Sequence, residues 1–565
     1  ACTFYTYDSV QDTYNPITKV AKGELMEKTQ PYYKTTQQYS LNYKNTFIDL
    51  HDVEALALWE WKETNTNWFM ARRYYSTTSA IPELDRGDVD NMYNEGNSAV
   101  YKYGGLVGRL NYVYAGKYMA EFSFRYDGSY KTAPEKRWGF FPAVSAGWRI
   151  SEEQFMKDLV PQMDNLKLRA SWGSIGNDSQ LNASQFVSGW QFEDRFILGG
   201  AGNSSASITN GMKEANLANP NITWYKVMTT NVGLDGSFWG GKLSFEFDYF
   251  YRKTTGYPAT RNTSLPTTSG IPLPQENLNS SDNRGFELSL GTVQRIGNVN
   301  LQIKGNVAYA REKDLYKEQA LPLNQYKNWR DNGAYRWKNV TWGYEHIGQF
   351  QSYDEIYNSP IQDGKGNSSL RPGDIKYKDL NGDGLIDAND EKVIGKGTFP
   401  DLNFGLTLAA DWKGFDVNIL FQGASNYTQV LNALTSPFRG PGEGEGFRVW
   451  MDSWHKADYN DPDSEWVPGK FPSLRIEGND NNSKKSTYWT TDAYYVRLKS
   501  IEIGYTIPKN LLSKVGIEHL RVYANAYNPL TITNVKYTDP EAIEGWQSFY
   551  YPQLKVYSFG VNVSF

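Results

Sequence analysis

Along most of this chain apolar and polar residues alternate with a period of two, most cleanly at the C-terminus. Tyr557, Phe559, Val561, Val563 and Phe565 fall on one face of an extended strand, with Ser558, Gly560, Asn562 and Ser564 between them. The same alternation places Leu402, Phe404, Leu406, Leu408, Ala410 and Trp412 on one face, and a Lys413-Gly414 turn leads into Phe415, Val417, Ile419 and Phe421. Leu243, Phe245, Phe247, Tyr249 and Tyr251 form another such face, as do Leu301, Ile303, Val307 and Tyr309, and Tyr118, Ala120, Phe122, Phe124 and Tyr126. About sixteen segments of this kind can be traced, most of them about 10–14 residues long, near the length that crosses a bilayer at a tilt.

The links between these segments are long and short in turn. The long ones fall near 64–102, 127–137, 175–224, 253–283, 312–400, 425–492 and 529–553. The short ones fall near 47–50, 115–116, 151–163, 239–241, 294–298, 413–414 and 508–517. A sandwich or propeller has no reason to gather its long loops at one end, whereas an outer-membrane barrel has short periplasmic turns and long extracellular loops. The pattern therefore predicts an all-β, transmembrane antiparallel β-barrel occupying residues 1–565. By parity, residues 1–10 are expected to be a wall strand and 11–35 an extracellular loop. The 151–163 link carries a helix-start signal and is expected to hold a turn or two of helix.

Composition changes the picture in a few respects. With 15% aromatic residues, 41 Tyr, 18 Trp and 50 Gly, the 565-residue chain leans to β structure. No apolar run is long enough for a membrane helix. A net charge of −5 without a basic block argues against nucleic acid as a partner. The single Cys2 excludes a disulfide scaffold and a Cys-based zinc site, and its position after Ala1 does not fit lipidation. Four scattered histidines offer little metal chemistry. A mean hydropathy of −0.62 is what a barrel with polar lumen and loops shows. Ala1 in place of Met predicts a processed chain or a piece of a longer one.

Several stretches go beyond architecture. Phe141-Pro-Ala-Val-Ser-Ala-Gly-Trp-Arg-Ile150 precedes Leu166-Lys-Leu-Arg-Ala-Ser-Trp-Gly173 and Gly176-Asn177. Gly373-Asp-Ile-Lys-Tyr-Lys-Asp-Leu-Asn-Gly-Asp-Gly-Leu-Ile-Asp387 precedes Val393-Ile-Gly395, and Tyr495-Val-Arg-Leu-Lys-Ser-Ile-Glu-Ile-Gly-Tyr-Thr-Ile-Pro508 precedes the closing strands and Phe565. From about residue 100 onward the chain resembles the SusC/RagA family of TonB-dependent outer-membrane transporters of Bacteroidetes. That resemblance implies a 22-stranded barrel filled by an N-terminal plug, a SusD-like surface lipoprotein as partner, and TonB-driven import of oligosaccharides or peptides. It places the chain in the outer membrane of a Gram-negative bacterium. About sixteen strands and no plug are seen here, so the chain is expected to be the C-terminal barrel portion, with TonB acting through a plug region absent from it. A free-standing, passive sixteen-stranded porin-like channel is the alternative.

One loop has metal-ligand spacing. Asp379, Asn381, Asp383, Asp387 and Asp390 stand at positions 1, 3, 5, 9 and 12 of an EF-hand-like loop. Gly384 takes position 6, and the carbonyl of Leu385 would serve at position 7. Ca²⁺ is expected here as a structural ion of the 312–400 loop, weaker than in a sensor because position 12 is Asp; Asx-turns without an ion use the same residues. Trp329, Trp337, Trp342 and Tyr344 crowd the same loop as candidate substrate contacts, and Trp450, Trp454, Trp466 and Trp489 crowd the next, with loop packing as the competing role. Trp148, Trp172 and Trp412 are expected in interfacial girdles. The Gly-rich stretches 199–202 and 440–446 lack the context of a phosphate-binding loop. No catalytic motif is present, so the chain is expected not to be an enzyme and to need no organic cofactor. A surface binding protein is a further, weaker reading.

Overall fold

A computed structural model describes residues 4–8, 13–17, 23–75, 83–89, 92–183, 185–198, 207–261, 273–320, 324–431, 434, 447–475, 480–512, 516–542 and 553–565. Cys2 and the Gly-rich stretches 199–202 and 440–446 lie outside the described residues.

The chain opens with a separate hairpin of β1 (Phe4–Asp8) and β2 (Thr13–Ile17). Then β3 (Gly23–Thr29) and β4 (Tyr32–Phe47) lie end to end along the 25-residue β5 (His51–Tyr75). The expectation of a wall strand at 1–10 and a loop at 11–35 is corrected here. Residues 23–35 read as loop because Glu24, Lys28, Gln30 and Lys34 are polar, yet the long β5 offers backbone partners up to Tyr75. The wall continues through β6 (Tyr93–Tyr114), β7 (Tyr118–Ser129), β8 (Trp138–Arg149) and β9 (Met163–Asn177). Between β8 and β9 lies the expected helical turn, α1 (Gln154–Leu159). A hairpin, β10 (Gly189–Leu198) and β11 (Ser207–Asn216), stands within the long connection to β12 (Tyr225–Phe238). Next come β13 (Leu243–Thr260), β14 (Gln275–Ile296) and β15 (Val299–Tyr316).

The connection after β15 holds α2 (Gln325–Asp331), β16 (Val340–Tyr344), β17 (His346–Gln349), α3 (Tyr353–Tyr357), β18 (Ile375–Tyr377) and β19 (Glu391–Lys396). Then β20 (Leu402–Trp412) and β21 (Phe415–Val430) form a tight hairpin in which Lys413 and Gly414 both take positive φ, as a type I′ turn requires. After β22 (His455–Lys456), β23 (Trp466–Val467) and α4 (Asp480–Ser483), β24 (Thr490–Thr506) returns to the wall. The short α5 (Lys509–Leu512) leads to β25 (His519–Thr533) and β26 (Val556–Ser564).

The main sheet has sixteen strands, all antiparallel, in the order β26-β25-β24-β21-β20-β15-β14-β13-β12-β9-β8-β7-β6-β5, with β3 and β4 sharing the far edge. Its strands outrun the expected segments: β5 and β6 stay paired from His51↔Tyr114 to Arg72↔Tyr93, so most of the expected 64–102 loop is strand. Long and short connections alternate along most of the wall, but the expected order fails at β8, where the 130–137 link before it is shorter than the 150–162 link after it, which holds α1. Among the described residues β26 pairs only with β25, and β3 and β4 only with β5.

Burial confirms which face meets lipid. Phe559 and Phe565 are each 86% exposed, and Tyr557, Val561, Tyr249 and Phe122 are also exposed on the face that the alternation marks as apolar. A large apolar surface of this extent is stable only in contact with hydrocarbon. The buried clusters lie elsewhere, at the long-connection end. One gathers Ile375, Tyr377, Ile386, Trp450, Phe471 and Trp489 from the 312–400 and 425–492 connections. The 141–177 motif also acquires a reason. The tip of the Phe141 ring presses on Gly176, where a Cβ would come within 1.9 Å of it, and the ring meets Trp224 edge-on.

Candidate functional site

The inward side of the wall is set by the residues that alternate with the lipid-facing stripe. Near the short turns these are charged and paired across strands. Arg169 of β9 forks onto Asp235 of β12 (2.8 Å) and Asp248 of β13 (2.7 Å). Arg521 of β25 meets Glu502 of β24 (2.7 Å) and also Asp416 of β21. Planar guanidinium between two carboxylates fixes both neighbours and leaves a polar, hydrated interior.

Toward the long-connection end the inward face borders a cavity of about 900 Å³. Arg252, Thr254 and Tyr257 of β13 and Glu312 and Asp314 of β15 line it from the wall. The 330–342 stretch closes it from above, because Asp314 N–H donates to the Arg336 carbonyl and Lys338 N–H to the Glu312 carbonyl. Lys338 Nζ also reaches Glu312 Oε1 (2.6 Å) and Asp314 Oδ1 (3.2 Å). Burial works to lower the Lys338 pKa, and the two carboxylates outweigh it, so the ammonium is held charged. Arg330 pairs with Glu391, and Arg336 donates to the Arg330 carbonyl. The lining thus offers charges of both signs with Trp342 and Tyr257 beside them.

Of the four expected aromatic contacts, Trp337 and Trp342 border this cavity. The Trp337 ring is engaged by arginine, with Arg311 4.2 Å from its centre. Trp329 is exposed and meets Trp342 edge-on at 6.3 Å, with Arg336 over both rings. Tyr344 instead packs on the buried cluster beside Tyr377, at the edge of a second, more polar cavity of about 1110 Å³. In the next connection Trp450, Trp454 and Trp489 are buried and serve packing, while the Trp466 ring lies under Lys456. Trp148, Trp172 and Trp412 lie on the lipid-facing side, and Trp148 donates to Glu153 at the short-turn end.

Arg475, Gln362 and Lys484, which line the second cavity, take part in ties between the two connections. Asp374 is fully buried, paired with Arg475 and accepting from Asn482 Nδ2 (2.8 Å). Burial pushes the Asp374 carboxyl up and the Arg475 guanidinium down, each against the pull of the other. Lys484 donates to the Gln362 carbonyl, with its pKa lowered by burial. Burial also lowers the His346 pKa.

The Asp379–Asp390 loop closes on itself. Asp379 accepts from the N–H groups of Gly382 (2.7 Å) and Gly384 (2.9 Å), and Asn381 and Asp383 make the next Asx-turns. Asp390, fully buried, accepts from Leu380 N–H and Asp387 N–H, completing a capping box with Asp387. The Leu385 N–H donates to Asp383 Oδ1 (2.9 Å). Among the described residues no three His, Cys, Asp or Glu side chains converge as a metal-holding group. The half-buried Lys484 ammonium is attracted by Asp387 and Asp390, so part of the loop's counter-charge is already in the chain.

The ion-paired luminal arginines are the feature that a one-dimensional reading passes over. Their only signal is a charge at the inward positions of otherwise apolar-alternating strands, as with Arg169 between Leu168 and Ala170.

Residues 3–529 match the family model described as TonB dependent receptor-like, beta-barrel. The chain is similar to TonB-dependent receptor P3 of Formosa agariphila, with 27% identity over 98% of this chain and 55% of the relative. It is similar to TonB-dependent receptor SusC of Bacteroides thetaiotaomicron, with 24% identity over 94% of this chain and 50% of the relative. The chain spans about half the length of these curated relatives. Among solved structures, the RagAB peptide transporter superposes with a TM-score of 0.74 at 21% identity, over 98% of this chain and 57% of that one. The superposition extends the barrel fold to nearly every strand of the wall.

Proposed function

The chain belongs to the TonB-dependent receptor-like β-barrel family of the outer membrane, and from that premise we propose that it forms the wall and mouth of a SusC-type importer of peptides. The observation that carries the cargo class is the mixed-charge lining of the 900 Å³ cavity, where Arg252, Arg336 and Lys338 stand with Glu312, Asp314 and Asp331. A zwitterionic oligomer finds partners for both of its charges there, whereas a neutral oligosaccharide uses only the hydroxyl and aromatic positions. Likeness to a solved peptide transporter supports the same cargo. Oligosaccharides are the second reading, supported by Trp329 and Trp342 as stacking surfaces.

In this proposal a SusD-like surface lipoprotein delivers cargo to the long connections, and TonB acts through a plug region. A passive channel made of this chain alone would need β26 to pair with β3 and β4, a pairing the described residues lack. The family is one of transporters rather than enzymes. For the Asp379–Asp390 loop the proposal keeps Ca²⁺ as a weak structural ligand, supported by the five oxygen-bearing side chains; chelation should then increase protease cleavage within 379–390, and unchanged cleavage removes the ion from the account.

The test of cargo is uptake by intact cells of fluorescent peptides and of oligosaccharides of similar mass, with and without an uncoupler. Uncoupler-sensitive peptide uptake, lowered by Lys338→Ala together with Arg336→Ala, is the expected result. Uptake confined to oligosaccharides overturns the peptide assignment, and uptake that persists in uncoupled cells overturns energised import.

A further inference from the structure

We infer that the lipid-facing surface of β13–β15 holds a phosphate-binding strip for a phosphorylated lipid of the outer leaflet. This rests on the outer-membrane placement of the wall and is independent of cargo. The register of the three strands lines their outward side chains into rows, with no bulge between Leu243 and Lys253, Asp282 and Thr292, or Ile303 and Lys313. From the short-turn end upward, Phe247, Leu288 and Val307 form an apolar row. Tyr249, Phe286 and Tyr309 form an aromatic row above it, with Phe286 and Tyr309 stacked at 5.9 Å. The next row is Tyr251, Arg284 and Arg311, and the last is Lys253, Asp282 and Lys313.

The order of these rows is that of a membrane boundary crossed from hydrocarbon to headgroups. Arg311 lies ten residues beyond Leu301 on β15. At about 3.4 Å per residue and a tilt of about 40°, it stands about 26 Å above Leu301, at the upper margin of an apolar band about 25 Å tall. Four cations face outward here, Lys253, Arg284, Arg311 and Lys313. Two carboxylates stand against them: Asp282 at Arg284 (2.8 Å) and Asp401 at Arg311 (3.1 Å). Each carboxylate holds its guanidinium in place and the strip keeps a positive excess. Trp337, whose backbone bridges to Lys313, adds a ring against both arginines, with centre distances of 4.2 Å to Arg311 and 5.7 Å to Arg284. On β5 and β6 the outward series past Trp59 and Trp61 next reaches a single cation, Lys102, matched by Glu63 at 3.5 Å. On β7 and β8, Tyr126 stacks on Trp138 at 5.1 Å, and no cation stands in the outward rows between Tyr118↔Trp148 and that pair. A cationic row directly above an aromatic girdle matches anionic phosphates anchored at headgroup depth.

The experiment uses the protein purified in mild detergent from outer membranes, with native mass spectrometry after exchange into diphosphorylated lipid A. Wild type is expected to retain the lipid, and Arg284→Gln with Arg311→Gln to weaken retention about fivefold for each cation removed. Arg284→Lys with Arg311→Lys should keep most of it, and the heat-modifiable gel mobility of the barrel reports folding of each variant. Lipid A stripped of its phosphates is expected not to be retained, and inorganic phosphate at millimolar concentration not to displace the intact lipid. Equal retention by wild type and the glutamine variant, or equal retention of the stripped lipid, overturns the strip; displacement by inorganic phosphate alone overturns the lipid as its occupant.

Discussion

Trp489→Ala is expected to open the loop module without disturbing the wall. Trp489 is 1% exposed and packs against Trp450, Phe471 and Tyr488 at ring separations of 6.2, 6.3 and 4.6 Å. Its indole Nε1 donates to the Asn482 carbonyl at 2.7 Å. Truncating a fully buried tryptophan costs about 3–5 kcal/mol through lost burial and the cavity left behind. Leaving the Asn482 carbonyl without its donor adds about 1 kcal/mol. Since a tenfold change is about 1.4 kcal/mol, the opening constant of the module should rise at least about 100-fold. Hydrogen–deuterium exchange of the detergent-solubilised protein reads this directly, with lost protection expected in 344–349, 375–377 and 480–489 and retained protection in β12–β15. Trp489→Phe keeps most of the apolar contact and should lose much less. If Trp489→Ala exchanges within twofold of wild type across these segments, Trp489 does not hold the two connections together and the reasoning fails.

Two further outcomes follow from the buried charges of the same module. Arg475→Met leaves the fully buried Asp374 without its guanidinium and should destabilise the module by about 3–5 kcal/mol, whereas adding Asp374→Asn should recover a good part of that, as read by exchange in 371–377. Burial holds the His346 pKa below its unfolded value, so the unfolded module binds the extra proton first. Stability should therefore be full above pH about 6.5 and fall as the pH drops below it. Exchange of 344–349 compared at pH 7.5 and pH 5.5 checks this, and the fall should be smaller in His346→Gln.

The wall was readable because lipid on one side and water on the other impose a period of two on each strand, and Phe559, Val561 and Phe565 carry that period without help from tertiary contacts. Strand ends were not readable, since above the lipid both faces are wet and the alternation fades while backbone pairing continues. Hence β5 and β6 run on past Thr64 and below Lys102, and the polar 23–35 stretch hides β3 and the start of β4. In the loops, composition marked the tryptophans but not their roles. Trp450 and Trp489 turn inward because residues far along the chain, such as Tyr377, meet them, while Trp329 stays exposed. The Arg169 cluster draws on Asp235 and Asp248, 66 and 79 residues away, and only the strand register brings them together.

Intact mass spectrometry of every polypeptide that co-purifies with this barrel from detergent-solubilised outer membranes tests the central claim most directly. An energised, lid-capped importer predicts a plug-bearing N-terminal segment, joined to the chain or beside it, together with a lipidated second subunit. A 64.4 kDa chain alone, conducting ions as an open pore in planar bilayers, would contradict the account.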